Sequence, residues 1–197
     1  MTRKEKNLMY KYLKRTNALD TYLTQGINNN ATIFFSIERE IKIQQIGTWH
    51  KNFNEVVNYL NSFITNSDCA KHGLVNLGKN FCIIRNEPLR WWIMGDSDKI
   101  ISSLNTENAV NLDISHSWVK LNISGLNSEK LLLHHIPLDL RDKKFPIFNF
   151  KSSSIHNIGV KLLKNQKGYS LFLPRSFSVS IWKQLIKTAD QYQYQIN

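Results

Sequence analysis

An order of strands and helices that occurs twice along the chain limits the fold more than any other feature of the sequence. In its first occurrence, Ile41 and Ile43 alternate with polar residues and lead to Trp49, which is typical of a half-buried strand. The sequence then predicts a helix with Asn52 as its N-cap and Glu55 completing a capping box. One apolar stripe defines this helix: Phe53, Val56, Val57, Leu60, Phe63 and Ile64.

Two strands and a short helix complete the first occurrence, and the second half of the chain follows the same order. The pattern predicts strands over 74–84 and 89–94, joined by a turn at 86–88, and then a short helix. The second occurrence begins with a strand that contains Val119, Leu121 and Ile123, followed by a helix with Leu131 and Leu132. A hairpin follows, with Ile158, Val160 and Leu162 in its first strand and Tyr169, Leu171 and Leu173 in its second. The last helix is capped by Ser176 or Ser178 and has an apolar side formed by Val179, Trp182, Leu185, Ile186 and Ala189.

These elements predict an α+β protein made of two similar β-α-β-β-α halves, with antiparallel or mixed sheets and helices packed on them. We expect one domain over 31–197, with halves at about 32–108 and 109–194, because 197 residues suffice for one core. Residues 1–30 are predicted to form a basic, loosely ordered arm that includes a short helix between Asn7 and Leu23.

The charge of the chain is concentrated at its amino terminus. The formal net charge is +11, and residues 1–15 contribute +5 of it through six basic residues against Glu5. Such an arm can follow nucleic acid or an anionic membrane, and it can also dock on an acidic partner subunit. Nucleic-acid binding lacks a recognition motif here. Because no apolar run approaches the ~20 residues that span a bilayer, the cytoplasm is the expected location.

Groups of ligating side chains offer only weak metal hypotheses. His134 and His135 are adjacent in sequence, so on a helix their side chains diverge by about 100° and do not share an ion. Two histidines near the carbonyl groups of a helix end are the preferred interpretation. Cys69, His72 and Cys82 give three zinc ligands where structural sites use four with closer pairing. Reduced, buried thiols are therefore expected.

Residues 113–117, Asp-Ile-Ser-His-Ser, suggest a Ser/His/Asp triad, but side chains this close in sequence rarely reach one another. A polar corner in which Asp113 or Ser115 binds backbone N–H groups is favoured instead. Arg175 can bind a carboxylate of this chain or of a partner, or the glutamate tail of a folate. Trp91 and Trp92 point to opposite faces of a strand, so one ring is expected in the core and the other is expected to be exposed or at an interface.

The order of short motifs over 113–182 resembles the gamma subunit of heterotetrameric sarcosine oxidase, a relative of the folate-binding T-protein of glycine cleavage. The resemblance covers roughly residues 32–194, and 89–96, Leu-Arg-Trp-Trp-Ile-Met-Gly-Asp, depart from the family pattern. The motifs are Asp-Ile-Ser-His-Ser at 113–117, Leu-Asn-Ile-Ser-Gly at 121–125, Pro-Leu-Asp-Leu at 137–140, Phe-Pro at 145–146, a hairpin at 155–173, Arg-Ser-Phe at 175–177 and Trp182.

This resemblance implies a non-catalytic subunit that stabilises the alpha subunit near its folate-handling domain. The assembled enzyme converts sarcosine, tetrahydrofolate and O2 to glycine, 5,10-methylenetetrahydrofolate and H2O2. The resemblance also implies that FAD, FMN, NAD, tetrahydrofolate and zinc belong to the alpha, beta and delta partners and that this chain binds none of them alone. The interface candidates are Trp91, Trp92, Arg175 and His116. A stand-alone folate-binding T-protein-like protein and a basic nucleic-acid adaptor are the alternatives, the latter predicting steeply salt-dependent binding.

Overall fold

The computed structural model describes residues 16–23, 28–65 and 68–197. The strands are β1 (Ile33–Glu38), β2 (Ile43–Thr48), β3 (Val75–Leu77), β4 (Phe81–Glu87), β5 (Arg90–Gly95), β6 (Ala109–Asp113), β7 (Trp118–Ser124), β8 (Phe150–Ile155), β9 (Ile158–Asn165), β10 (Gly168–Pro174) and β11 (Tyr194–Ile196). The helices are α1 (Phe53–Asn61), α2 (Asp98–Ser102), α3 (Ser128–Leu133) and α4 (Ser178–Ala189).

The strands form two sheets whose orders correspond. One sheet has five strands in the order β3-β4-β5-β2-β6, and the other has six in the order β8-β9-β10-β7-β1-β11. All neighbouring strands are antiparallel except β1 and β11, which are parallel. In each sheet a meander of three strands, β3-β4-β5 or β8-β9-β10, lies beside the strand that comes before it in the chain, β2 or β7. This correspondence confirms two similar halves in an α+β fold.

The first strand of each half pairs with the sheet of the other half. β1 lies beside β7 of the six-stranded sheet, with Phe35 opposite Ile123, although β2 follows it directly in the chain. β6 lies beside β2 of the five-stranded sheet, with Leu112 opposite Gln45. Because of this reciprocal exchange, a cut between residues 108 and 109 divides the chain into the two predicted halves, but each sheet contains a strand from both halves.

Three apolar clusters define four layers: helices, sheet, sheet and helices. The cluster between α3, α4 and the six-stranded sheet includes Leu121, Leu131 and Trp182. A second cluster, with Val56 and Trp91, lies between α1, α2 and the five-stranded sheet. The third lies between the two sheets and contains these buried residues: Ile41, Ile43, Val75, Ile84, Trp92, Ile114, Phe150, Leu163 and Phe172.

Several strands differ from the prediction. β1, β6, β8 and β11 were not predicted, and the strand expected over 74–84 is two strands that turn back between Leu77 and Phe81. The polar run at Lys151–Ser154 hides β8, because three serines give no apolar alternation, although its residues pair with β9 along the full length of the strand. Pairing with a neighbour, rather than the local pattern, forms these strands.

The predicted loose arm is partly wrong. Leu19 is fully buried in the cluster beneath α3 and α4, and Asp20–Tyr22 form a short 3-10 helix. Asp20 Oδ1 accepts a hydrogen bond from Arg39 Nε at 3.2 Å, which ties this segment to the end of β1. Residues 1–15 and 24–27, which hold most of the predicted arm and of its helix, lie outside the described residues.

The predicted helix caps are also wrong. Asn52 precedes α1 but makes no capping bond: its buried Oδ1 accepts no hydrogen bond, and its Nδ2 donates to Asn108 Oδ1 at 2.8 Å. At α4, Ser178 is the first helical residue, and its Oγ donates to the carbonyl oxygen of Arg175. Both helices are held by their buried faces rather than by side-chain caps.

Candidate functional site

The face of the six-stranded sheet that points to the other sheet carries a polar region over β1, β7 and β10; we call this region the inner cleft. Ser36, Asn122 and Ser170 lie opposite one another on these three strands. Ser170 Oγ donates to Asn122 Oδ1 at 2.7 Å, and Asn165 Nδ2 donates to Ser170 Oγ at 3.2 Å. The cleft contains side chains that hydrogen-bond to one another across strands, with polar atoms available to a ligand.

The alternation of β7 places these polar side chains in the cleft. Val119, Leu121 and Ile123 are buried toward α3 and α4, so the intervening residues face the opposite side. The two sheets are joined at the far side of the six-stranded sheet, where Phe150 N donates to the carbonyl oxygen of Gly73 at 2.7 Å. The polar strands lie away from this junction, at β1, β7 and β10.

An ion pair lies in the middle of the inner cleft. Lys120 Nζ is 2.6 Å from Glu38 Oε2, and the lysine side chain is only 20% exposed. The same Nζ lies 6.0 Å from the centre of the Phe172 ring. Partial burial strengthens the attraction relative to a pair on the open surface, so Lys120 is fixed at the centre of the cleft.

Two cavities meet at this ion pair, since Glu38 and Lys120 line both. One has a volume of about 470 Å³ and is lined by Ser36, Asn122, Ser124, Asn165 and Ser170 together with Phe148. The other has a volume of about 460 Å³, and four carboxylates line it: Glu38, Glu40, Asp96 and Asp98. Cavities of this size fall within the range that small-molecule ligands occupy.

The inner cleft offers hydrogen bonds to a polar molecule, and the thiol of Cys82, on the neighbouring sheet, is unreactive. Burial raises the pKa of Cys82, which packs between the sheets, to about 11, although the charge of Lys120 partly opposes the shift. The thiol is therefore protonated at neutral pH and a poor nucleophile. Among the residues that line the two cavities, hydroxyls and amides offer hydrogen bonds, and Lys120 is paired with Glu38.

The polar corner predicted at 113–117 is confirmed. Asp113 Oδ1 accepts a hydrogen bond from the backbone N–H of Ser115 at 2.9 Å. Ser115 Oγ accepts one from the backbone N–H of Ile43, also at 2.9 Å, and so joins the end of β6 to the start of β2. His116 is exposed. Asp113 and Ser115 thus bind backbone N–H groups at the strand entry.

The two tryptophans do point to opposite faces, but the expected exposed ring is absent because both are buried. Trp91 is 0% exposed, stacks on Phe53 of α1 and donates from Nε1 to the carbonyl oxygen of Cys69 at 2.7 Å. Trp92 is 1% exposed and packs between the sheets against Trp118. β5 is covered by helices on one face and by a sheet on the other, so neither ring offers surface to a partner.

Arg175 and His116, the other two interface candidates, lie at one corner of the molecule. The backbone N–H of Arg175 donates to the carbonyl oxygen of Ser117 at 2.9 Å. Arg175 Nη2 donates to the carbonyl oxygen of Thr16, also at 2.9 Å. Within the described part of the chain, no carboxylate forms an ion pair with Arg175. Its carboxylate partner in another subunit therefore stays a prediction, as does the interface role of His116.

The adjacent histidines end α3, as predicted, but they bind side chains rather than helix carbonyls. His134 Nε2 lies 2.8 Å from the Tyr192 hydroxyl, and His135 Nε2 lies 2.9 Å from Thr188 Oγ1 on α4. Burial, followed by the charges of His156 and His134, lowers the pKa of His135 below its ordinary value of 6.5. The described residues contain no group of three His, Cys, Asp or Glu side chains suited to a metal ion.

Sequence analysis did not identify Glu38, Lys120, Asn122 and Ser170 as a group. They come from three strands far apart in the chain, and their proximity depends on β1 pairing with β7. A signal was present in β7, where Lys120, Asn122 and Ser124 occupy every second position. That pattern shows a polar face but does not show that a second sheet lies over it.

Comparison with known proteins gives structural neighbours only. No protein-family model and no curated protein sequence matches the chain. A chain of the heterotetrameric sarcosine oxidase from Corynebacterium sp. U-96, solved in complex with pyrrole 2-carboxylate, has a TM-score of 0.75 and 16% identity; the match covers 91% of this chain and 96% of that one.

A second neighbour is the glycine cleavage system aminomethyltransferase T from Bartonella henselae. Its TM-score is 0.60 at 12% identity, and the match covers 85% of this chain. It covers 48% of that protein, so the present chain corresponds to about half of its length. In the described ranges, the structure has no helix long and apolar enough to cross a membrane. The two neighbours show that this chain has a T-protein-like α+β fold.

Proposed function

We propose that this chain is the non-catalytic gamma subunit of a multi-subunit sarcosine oxidase and that it stabilises the alpha subunit near its folate-handling domain. The near-complete correspondence with one chain of a heterotetrameric sarcosine oxidase carries this proposal. Because the match covers 91% of this chain and 96% of the other, the two have similar lengths, and the counterpart is a small chain of that assembly.

The chemistry of the described residues supports a structural role. Cys69 is buried and Cys82 is half-buried, and the pKa of Cys69 is raised to about 12 by burial and by the nearby charge of Asp68. Ser115 binds the backbone of β2, and Lys120 is paired with Glu38. In this proposal the alpha, beta and delta partners carry FAD, FMN, NAD, tetrahydrofolate and zinc. The amine is oxidised by the assembled complex and not by this chain alone.

Co-expression with the candidate partner subunits tests the proposal. The chain carries an affinity tag, and the proteins encoded beside its gene are expressed with it. We expect a yellow complex with flavin absorption bands in near-stoichiometric amounts, which oxidises sarcosine and releases H2O2. The matched control is the same set of partners with the tag on alpha and without this chain, which should give less stable or less active complex. A colourless tagged chain that purifies alone would contradict the proposal.

A stand-alone folate-binding protein is the second candidate, and the inner cleft favours it. A cleft with amides, hydroxyls and an aromatic ring beside it matches the hydrogen-bonding and planar groups of a pterin. Tetrahydrofolate titrated into the isolated chain should then bind in the micromolar range or tighter, and Asn122→Leu should weaken binding by about tenfold. Asn111→Leu, on the outer edge of the other sheet, is the control. An isolated chain without saturable binding excludes this function.

A further inference from the structure

The basic charge of the described chain is concentrated in one stretch. Residues 139–168 contain seven lysine and arginine residues against two aspartates, which gives +5. Residues 1–15 contribute another +5 to the total of +11, so all other residues together carry only +1. Part of this stretch, residues 139–147, lies in the connection between α3 and β8. We call this loop, together with Lys151 and Lys164 that contact it, the cationic patch; it has five basic residues against two aspartates.

The backbone of the loop is fixed from below. Leu140 is 1% exposed and Phe145 is fully buried, and both belong to the cluster beneath α3 and α4. The backbone N–H groups of Lys144 and Phe145 donate to the carbonyl oxygen of Arg141 at 2.9 Å and 2.8 Å. Lys164 of β9 is buried, and its Nζ donates to the carbonyl oxygen of Leu140 at 3.0 Å. Because the loop is ordered in this way, little further ordering is needed when it binds a partner.

The acidic side chains at the patch are already bound within the chain. Each has a partner: Asp139 binds Arg141, Asp142 binds Lys164, and Glu129 of α3 accepts a hydrogen bond from the Tyr169 hydroxyl. Residues 141–144 are all exposed and line a hollow of about 510 Å³. The carboxylates of this chain therefore leave part of the positive charge around the hollow uncompensated.

Three lysines of the patch carry this uncompensated charge. Lys143 and Lys144 are exposed, and Lys151 of β8 donates from Nζ to the carbonyl oxygen of Lys144 at 2.8 Å. In the ranges that the structure describes, no carboxylate forms an ion pair with any of the three. Ile147, in the same loop, is 46% exposed. The patch thus presents three cations and an apolar side chain to the surroundings.

The chemistry of the patch fits an acidic protein segment better than a nucleic acid or a membrane. Single-stranded nucleic acid binds exposed aromatic rings on which its bases stack, but Phe145 is fully buried and Phe148 is half-buried. Peripheral membrane binding uses a broad apolar face, and the exposed apolar residues of this loop are Pro146 and Ile147. The two aspartates of the loop would repel a continuous row of phosphates, whereas the carboxylates of a protein can be spaced around them.

We propose that the cationic patch docks on an acidic surface segment of a partner subunit, with carboxylates of the partner paired to Lys143, Lys144 and Lys151 and an apolar side chain against Ile147. This inference rests on the proposed subunit function. The lysines supply the attraction, and the fixed backbone of the loop holds them in one arrangement. Opposite charges also steer two subunits together, so the patch acts mainly on the association rate and loses its effect at high ionic strength.

A double charge reversal in the full chain tests the docking surface. Lys143→Glu/Lys144→Glu should lower the rate of association with the purified partner subunits by about tenfold or more at about 50 mM salt, and by much less at about 1 M. Biolayer interferometry on the tagged chain measures this rate. The matched control is Lys51→Glu/Lys99→Glu, which changes the net charge equally. Lys51 and Lys99 are exposed and lie directly before α1 and in α2, beside the other sheet, so this control should associate like the wild type.

The outcomes separate the docking surface from the proposed function. A wild-type chain that binds no oxidase subunit overturns both. If the wild type assembles and Lys143→Glu/Lys144→Glu associates at the same rate, docking on the cationic patch is wrong and the subunit function stands. Equal losses for the two double variants would assign the effect to net charge and also overturn the docking surface.

Other occupants of the patch give results of their own. Binding of the isolated chain to RNA, to phosphatidylserine vesicles or to a second copy that Lys143→Glu/Lys144→Glu abolishes, with subunit assembly unchanged, would assign the patch to that occupant and overturn the proposal. Circular dichroism verifies the folding of each variant. Lys143→Gln/Lys144→Gln, which removes the two charges without reversing them, decides if the reversed variant unfolds.

Discussion

Trp92 joins the two sheets through three contacts with aromatic rings. Its ring centre lies 5.0 Å from that of Trp118, 5.5 Å from that of Phe150 and 5.8 Å from that of Phe172, and all three pairs are edge-on. These neighbours belong to the six-stranded sheet, whereas Trp92 belongs to β5 of the other. Aromatic pairs of this geometry add to the stabilisation from burial, so this side chain joins the halves of the molecule.

Replacing Trp92 should therefore destabilise the isolated chain. We expect Trp92→Ala to lower the free energy of unfolding by ~3–5 kcal/mol, because it empties a closed volume between the sheets. Urea denaturation followed by far-ultraviolet circular dichroism measures the loss. Trp49→Ala is the matched control: Trp49 is 47% exposed, so its change should stay within about 1 kcal/mol. Equal losses for the two variants would contradict the role of Trp92.

His135 should make stability depend on pH. Its pKa is lowered in the folded state, chiefly by burial and then by His156 and His134, so the unfolded chain binds its proton more readily. Stability is therefore fully present above the ordinary value of 6.5 and decreases as the pH falls below it, until the lowered pKa is passed. When the pH is lowered from 7.5 to 5, the unfolding free energy of the wild type should therefore decrease relative to that of His135→Gln.

Exposed His116 offers the control for that measurement. His116→Gln is the control for the loss of an imidazole as such, because His116 is exposed and its replacement removes no buried contact. A difference for His135→Gln that stays constant with pH would contradict the lowered pKa of His135. The contribution of His135 would then come from its contact with Thr188 alone.

At the scale of elements, local pattern predicted the strands that bury one face, and pairing determined the others. β7, β9 and β10 alternate clearly, and α1 and α4 carry long apolar stripes, so the sequence predicts all five. β6 exposes nearly every side chain, so its strand character depends on β2 beside it. For the same reason the inner cleft was not predictable: Glu38 and Lys120 meet only because β1 crosses to β7.

The turn between β7 and α3 depends on Gly125. Its φ is +101°, and a Cβ there would lie 2.4 Å from the carbonyl oxygen of Thr32, which precedes β1. Gly125→Ala should therefore cost about 1–3 kcal/mol of stability through backbone strain and this contact. Gly159→Ala, in β9, is the control because nothing lies within 4 Å of its Cβ position. If chemical denaturation gave both variants the same midpoint, the turn would have no special requirement for glycine.

At the scale of the whole molecule, the exchange of β1 and β6 links two similar halves into one unit. Each sheet contains a strand from the other half of the sequence, and the apolar cluster around Trp92 fills the space between the sheets. Opening the five-stranded sheet therefore removes the cover from Phe150, Leu163 and Phe172 of the six-stranded sheet. Separation of the halves exposes buried apolar surface on both, which makes it unfavourable.

This linkage predicts a single cooperative unfolding transition. Hydrogen exchange followed by mass spectrometry in increasing urea should give β4, in the five-stranded sheet, and β9, in the six-stranded sheet, the same midpoint. A fragment of residues 32–108, cut where the sequence repeats, should lack stable structure, because its β1 has lost β7 and its β2 has lost β6. Two separate midpoints, or a folded fragment, would show that the halves are independent despite the exchange. A common midpoint, together with an unstructured fragment, would show that the contacts that hold one sheet closed also hold the other.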